Sequence, residues 1–399
     1  MKKKLLVMAS TFPRWKNDTN PPFVYELSKR LTDKFDVYVL APHYPGSNNY
    51  EIMEGIKVYR FRYFFGRYEK LACSGGILPL LKKNKFYWFI VPFFLLSEFL
   101  ALRKLTKKIK PDIVHAHWII PQGFIAALNK KLMGTDYIVT TLGGDLFGLQ
   151  GKIPTIIKNF SLKNAKEITV VSNAMKNEIL NKINPNLNIK VIPMGVDSNL
   201  FNPNKKDNFI KKKYNINGPF LLFVGRLTEK KGAIYLIEAM PHIIKEFPKT
   251  KLIMIGNGEL EKELKVLTSK LGLEKNIIFI GAVQYKELPK YYATADIFIG
   301  PSIITKEGDR EGLPVTLIES MFSGNVTIAT DLEGNKDIIK NNKNGFLIKQ
   351  NNPKEIEKIV LRLLKINSLF KKIKQNSRIS ILKKYNWKII VNSFIGDLK

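Results

Sequence analysis

The chain has 399 residues, 45% of them hydrophobic, enough to bury two domain-sized cores. Its single cysteine, Cys73, excludes an intramolecular disulfide and fits a reducing compartment. The formal net charge of +31, from 65 Lys+Arg against 34 Asp+Glu, favours anionic partners: nucleic acid, a membrane surface, or nucleotide-linked substrates. Part of that lysine excess also fits an A/T-rich coding sequence, because Asn and Ile are abundant too.

From the start of the chain, Leu5 to Ala9 is a short apolar run that stops before Phe12-Pro13-Arg14. It reads as a buried β-strand rather than a signal peptide. Short β-branched or Leu-rich runs then recur between longer helical patterns. Strands are expected at 4–9, 36–41, 56–61, 112–116, 137–141, 167–171 and 189–192. The rhythm breaks near Pro193-Met194-Gly195-Val196-Asp197-Ser198 and a polar stretch from Asn202 to Asn217. It restarts with strands at 220–224, 251–255, 276–280, 296–299, 326–329 and 346–348. Such alternation means βαβ units and parallel sheets. The expected organisation is a doubly wound α/β domain over 1–197, a second over 198–384, and a terminal helix over 385–399. Ligands in such sheets bind outside the carboxyl ends of the strands, here in a cleft between two domains.

One segment departs from the rhythm. Phe86 to Leu102 is apolar and aromatic, with Lys82, Lys83 and Lys85 before it and Arg103, Lys104, Lys107 and Lys108 after it. Its length is at the lower limit for a bilayer span, and it contains Pro92 and Glu98. A helix pair packed on the core, a surface helix dipping into an anionic leaflet, and a true span all remain open.

The chemistry-bearing runs sit at strand ends. Pro111 to Trp118 reads as a buried strand, and His115 and His117, two apart, share one face. His117 lies nearer the carboxyl end and suits a substrate hydroxyl. No Cys or carboxylate stands at zinc spacing beside the pair, so no metal is assigned. The next strand ends at Gly143-Gly144-Asp145, where Asp145 is either an acceptor-side acid or an N-cap. In the second half, Gly225 leads into Arg226-Leu227-Thr228-Glu229-Lys230-Lys231-Gly232 and a helix. An Arg and a Lys at one strand-to-helix turn suit a diphosphate, the Arg by bidentate bonds and the Lys as a point charge. Gly256-Asn257-Gly258 is a glycine turn suited to close backbone approach by phosphate or ribose, but it lacks the third glycine of a dinucleotide fingerprint. Finally, Glu311-Gly312-Leu313-Pro314 precedes a helix that carries Glu319. Pro314 is expected in the first turn, leaving the Gly312 and Leu313 amides at a helix N-terminus, with two carboxylates to take hydroxyl protons.

Together these runs, in order and over nearly the whole chain, resemble the family 4 retaining glycosyltransferases of the GT-B fold. The match also takes in Val191-Ile192-Pro193-Met194-Gly195-Val196-Asp197 and Ala295-Asp296-Ile297-Phe298 with Pro301-Ser302. The resemblance implies a UDP- or GDP-linked sugar donor and a glycan or lipid-linked acceptor, with no cofactor and no essential metal. It implies that Arg226 and Lys231 hold the donor diphosphate and Glu319 the ribose. Glu311 with the Gly312 and Leu313 amides would hold the sugar, and the Val283 backbone the base. His117 would touch the sugar near the reacting carbon, while Asp145 and Gly144 would face the acceptor. Two departures fall in the first half. Where many members carry a Gly-Gly turn, this chain has Asn17-Asp18-Thr19-Asn20-Pro21-Pro22-Phe23. Where many carry His-Gly before the acid, it has Gly143-Gly144. The helix from Tyr385, with Trp387, Ile390 and Phe394, would cross back to the first domain as in GT-B enzymes.

The expected activity is glycosyl transfer in cell-envelope polysaccharide synthesis, in the cytoplasm or peripherally on the cytoplasmic membrane face. A nucleotide-sugar 2-epimerase of the same fold is the alternative. Nucleic-acid binding has only the charge in its favour, since no aromatic-basic platform or known module accompanies it.

Overall fold

The computed structural model describes residues 2–16, 18, 23–72 and 76–398, without the side chains of Lys82 and Asp397. Cys73 and, in the loop that departs from the family pattern, Asn17 and Thr19–Pro22 lie outside the described residues.

Contacts divide the chain into two compact units, one of residues 1–193 with 390–399 and one of residues 194–389. Each contains one sheet. In the first unit the strands are β1 (Lys3–Met8), β2 (Phe35–Pro42), β3 (Tyr50–Met53), β4 (Ile56–Phe61), β5 (Ile113–His117), β6 (Tyr137–Thr141), β7 (Glu167–Val170) and β8 (Lys190–Val191). Their spatial order is β3-β4-β2-β1-β5-β6-β7-β8. In the second unit β9 (Phe220–Val224), β10 (Lys251–Ile255), β11 (Ile277–Gly281), β12 (Ile297–Gly300), β13 (Val326–Thr330) and β14 (Phe346–Ile348) lie in the order β11-β10-β9-β12-β13-β14. Every neighbouring pair is parallel except β3 with β4. Sheets covered by helices on both faces need continuous apolar strands, and Leu5–Met8 and Phe220–Phe223 are buried throughout.

Both sheets are doubly wound. Strand order reverses between β1 and β5 in one and between β9 and β12 in the other. At such a switch point the loops leaving two adjacent strands diverge and open a crevice at their carboxyl ends. In the second unit those loops carry Arg226 and Pro301.

Three local features differ from the sequence expectation or resolve it. The strand β3 is an antiparallel edge joined to β4 by Glu54-Gly55, both at positive φ (46° and 85°), the backbone of a tight hairpin turn. The segment from Phe86 forms one 24-residue helix, Phe86–Ile109, with Pro92 inside it. Its inner face seats Phe94 against Phe61 and Tyr63, with ring centroids 5.2 and 5.0 Å apart. At the end of the chain the helix Trp387–Leu398 is divided between the units. Residues 385–389 stay with the second unit, where the Val196 N–H donates to the Tyr385 carbonyl (2.8 Å) and Trp387 lies so close over Gly195 that a Cβ there would meet its ring at 2.5 Å. Beyond them, Phe394 is fully buried in the first unit, its ring 5.4 Å from that of His115.

Candidate functional site

The second unit brings Arg226, Lys230, Lys231, Asp309 and Glu311 near one another at the β9/β12 switch. The turn after β9 is braced from β10. The Gly225 N–H donates to the Ile255 carbonyl (2.9 Å), Leu227 N–H to the Asn257 carbonyl (3.0 Å), and Leu260 N–H to the Leu227 carbonyl (3.0 Å). This lattice explains the Gly256-Asn257-Gly258 run. A Cβ on Gly256 (φ +130°) would stand 1.9 Å from the Gly225 carbonyl oxygen, and one on Gly258 2.1 Å from that of Leu227. Both glycines therefore let two backbones touch, and they fix the Arg226 turn in place. Val283 follows two residues beyond β11, whose Gly281 carbonyl accepts from the Gly256 N–H (2.9 Å). From the other side, Gly232 (φ +63°) is needed because a Cβ there would lie 2.0 Å from the Pro301 carbonyl oxygen.

Held this way, Lys231 reaches Glu311. Its Nζ is 3.0 Å from Glu311 Oε2, with both side chains only 14% exposed. The other carboxylate oxygen, Oε1, is buried with no hydrogen-bond partner among the described residues. Burial by itself would raise the Glu311 carboxyl, but the charges of Lys231, Lys230 and Arg226 and the Lys231 hydrogen bond outweigh it and hold it down to about 2. Glu311 is thus favoured as the anion, paired with Lys231 and with one acceptor oxygen unused among the described residues. Lys230, on the same turn, pairs instead with Asp309 (3.2 Å).

Glu319 has the opposite electrostatics. It sits mid-helix on Val315–Phe322, 4% exposed, and its Oε2 accepts from the Tyr292 hydroxyl at 3.0 Å. Burial raises its carboxyl to about 7, against the pull of hydrogen bonds from Tyr292 and Tyr285 and the charge of Lys231. Two carboxyls in one unit are therefore driven apart, one fixed as an anion and one poised to titrate near neutrality.

The helix bearing Glu319 starts later than the sequence suggests. Pro314 is its N-cap, with extended torsions (φ −75°, ψ 100°), and the first helical residue is Val315. Pro314 is thus the cap instead of a first-turn residue, and Gly312 and Leu313 precede it. Their segment is pinned by the loop after β13. A Cβ on Gly334 would approach the Gly312 carbonyl oxygen to 2.7 Å.

In the first unit, His115 and His117 share a face, their ring centroids 4.2 Å apart. His115 Nε2 is bonded to Thr140 Oγ1 (2.7 Å), which continues to Thr169 Oγ1 (2.5 Å). His117 is fully buried, and neither ring nitrogen has a partner among the described residues. Burial, then the neighbouring His115, pushes its pKa well below the usual histidine value, so the ring is neutral. Both nitrogens of a neutral imidazole want hydrogen bonds, and here both are unfilled.

Asp145 lies in a closed network. Its carboxylate accepts from the Ile119 N–H (2.5 Å), from Thr141 Oγ1 (2.8 Å) and from the Gly143 N–H (3.3 Å), and it is 3% exposed. The N-cap of the short helix Gly144–Phe147 is Gly143 (φ +117°), not Asp145. The acid instead ties the exit of β5 to the exit of β6. Burial raises its carboxyl, with the Ile119 and Thr141 hydrogen bonds acting the other way. Among the described residues no group of three or more His, Cys, Asp and Glu could hold a metal ion.

Tyr292 and Tyr285 on Glu319, and Asp309 on Lys230, were not legible as site residues. Tyrosine and a loop aspartate carry no spacing signal, and their partners are reached only through the fold.

Two family models match the chain. Glycosyltransferase Family 4 covers residues 22–200 and Glycosyl transferases group 1 covers residues 204–380. An uncharacterized glycosyltransferase of Methanocaldococcus jannaschii is 28% identical over 328 residues, 77% of this chain and 82% of that one. A UDP-Gal:alpha-D-GlcNAc-diphosphoundecaprenol alpha-1,3-galactosyltransferase of Escherichia coli is 26% identical over 306 residues, 73% and 76% of the two chains. In fold, the sucrose-phosphate synthase of Thermosynechococcus elongatus superposes with a TM-score of 0.79 at 16% identity, over 99% of this chain and 98% of that one. With two doubly wound units of the GT-B type and both family models matched in sequence, the chain belongs to the group 1, family 4 glycosyltransferases.

Proposed function

We propose that the chain moves a sugar from a UDP- or GDP-sugar to a hydroxyl acceptor, with retention at the anomeric carbon and without a metal. The carrying observation is the Lys231–Glu311 pair set beside Arg226 at the β9/β12 switch. Arg226 and Lys231 take the donor diphosphate. Glu319 accepts from the ribose hydroxyls, the Val283 backbone faces the base, and Gly256, Asn257 and Gly258 keep the turn in register. Glu311, with the Gly312 and Leu313 amides, holds the sugar. On the first unit, His117 is assigned to the transferred sugar and Asp145 with Gly144 to the acceptor side, Asp145 by shaping the loops it ties.

A carboxyl held at about 2 cannot donate a proton at neutral pH, so Glu311 is no general acid. The leaving group must then be stabilised by cations. As the bond from the anomeric carbon to the diphosphate oxygen breaks, its electron pair stays on that oxygen, beside Arg226 and Lys231. The acceptor oxygen bonds the same face of the carbon and gives its proton to the departing phosphate. No pair of carboxylates flanking the sugar, as in glycosidases, is required.

The galactosyltransferase relative, by its name, uses UDP-Gal and a GlcNAc-diphosphoundecaprenol acceptor, which supports a nucleotide-sugar donor and a lipid-linked glycan acceptor. On this reading the chain works in the cytoplasm. Incubation with a panel of labelled UDP- and GDP-sugars is the test. The reading requires one donor to bind and be hydrolysed or transferred, and Arg226→Ala and Glu319→Ala each to weaken its binding. Absence of any donor binding sinks it. An epimerised sugar formed without acceptor would shift the assignment to a 2-epimerase.

A further inference from the structure

The helix Phe86–Ile109 presents a surface that glycosyl transfer does not explain. Its inner face is buried at Ile90, Phe94, Glu98 and Leu102. Its outer face carries Phe86, Phe89, Phe93, Leu96 and Leu100, between 42% and 60% exposed. Their spacing of three, four, three and four puts all five on one stripe, about 21 Å long at 1.5 Å per residue. The stripe is widened from the β4 side. Phe64 packs on Phe93 and Phe89 (5.5 and 6.2 Å between centroids), and the adjoining Phe65 is 74% exposed. Aromatic rings rarely stay this open on a soluble surface without a partner.

The exposed charges that flank the stripe in sequence have one sign. Arg67, Lys83, Lys85, Lys104, Lys107 and Lys108 are exposed. Between Arg62 and Lys110 the only acids are Glu69 and Glu98, and both are fully buried. Every exposed charge along this stretch is therefore positive. An apolar face in a one-sign cationic frame complements an anionic lipid surface, where rings enter the acyl boundary and ammonium groups stay at the headgroups. A second copy of the same face would bring cation against cation. The helix is long and apolar enough to cross a membrane by length and composition, but its inner face is part of the first unit's core and would have to leave it.

We propose that the outer face of helix Phe86–Ile109, with Phe64 and Phe65, docks the first unit flat on an anionic bilayer. The helix lies in the interface and does not span it. The inference concerns the first unit's outer surface and does not rest on the donor assignments.

The test is co-sedimentation of the full chain with vesicles of phosphatidylcholine alone or doped with phosphatidylglycerol, at about 0.1 M salt, where the Debye length is about 10 Å. Binding is expected to the doped vesicles, at least about ten-fold stronger than to the neutral ones, and to be released by high salt. Lys104→Glu/Lys107→Glu should weaken it about ten-fold or more, at roughly a factor of five per basic residue near the surface. Phe89→Ser/Leu96→Ser should weaken it similarly, with donor binding unchanged, since both side chains are more than half exposed. Equal binding to the two vesicle types, no binding to either, or variants that bind like the parent would overturn the proposal. So would a dimer in solution that Phe89→Ser/Leu96→Ser dissociates, or lipid association that only detergent releases.

Discussion

Replacing Glu319 by Gln should have opposite effects on stability and on ligand binding. Burial raises this carboxyl from its ordinary 4.5 to about 7. A raised acid binds its proton more tightly in the folded state, so stability is full below pH 4.5 and falls as pH rises toward 7. At about pH 8 the ionised carboxylate then costs about 3 kcal/mol. Gln carries no such penalty and can still accept from Tyr292. In a unit of this size about 3 kcal/mol corresponds to roughly 6–12 °C in Tm. Glu319→Gln should therefore raise Tm of the ligand-free protein by up to that amount at about pH 8 and leave it unchanged at about pH 4. Binding should move the other way. If Glu319 holds the ribose as proposed, loss of its charged hydrogen bonds, about 1.5–3 kcal/mol, should weaken nucleotide affinity about 10–100-fold. Scanning calorimetry across pH, with nucleotide titrations on the same samples, reads both. A Tm lowered equally at both pH values would refute the burial argument, and unchanged affinity would remove Glu319 from the donor site.

Lys231→Met should destabilise the second unit by about 3 kcal/mol at neutral pH, because it strands the Glu311 carboxylate. Adding Glu311→Gln should recover most of that in urea denaturation while transfer activity stays lost. In the first unit, Glu98 is fully buried and burial raises it to about 8, only partly offset by the Gln122 side chain (3.0 Å). Its penalty grows as pH climbs from 4.5 toward 8, so Glu98→Gln should stabilise the protein by up to about 3 kcal/mol at pH 7 and not at pH 4. The check is the pH dependence of Tm. Gly256→Ala should cost about 3 kcal/mol or more, since the new Cβ would collide with the Gly225 carbonyl from a positive-φ position. An unaltered Tm would show that the Arg226 turn is not braced this way.

Much of the fold was legible because parallel strands buried on two faces must be continuous apolar runs. Runs such as Phe220–Val224 and Lys251–Ile255 stand out between helical patterns with their ends sharply marked. The edge strand Tyr50–Met53 was missed because half of its surface faces solvent and its alternation spans only four residues. The acids and cations of the second unit's switch could be read from their loops, and Lys231 and Glu311 do come together. Their protonation could not be read, since the opposite states of Glu311 and Glu319 depend on which cations and tyrosines the fold brings alongside. Asp145 shows the same limit. Its place in sequence suggested an acceptor-side acid or a cap, whereas the bond to the Ile119 amide arises from the neighbouring strand's exit loop.

The order of the chain sets a timetable for its own synthesis. Residues 390–399 belong to the first unit, yet all of residues 194–389 come before them. On the ribosome the first unit must wait for Phe394 to cover His115 until nearly two hundred further residues are made. At about 5–20 residues per second that delay is about 10–40 s. For that interval the nascent first unit exposes an apolar seat sized for one helix, a natural landing point for a holding chaperone, and its cooperative melting should be absent from any truncation that stops short of Ile390.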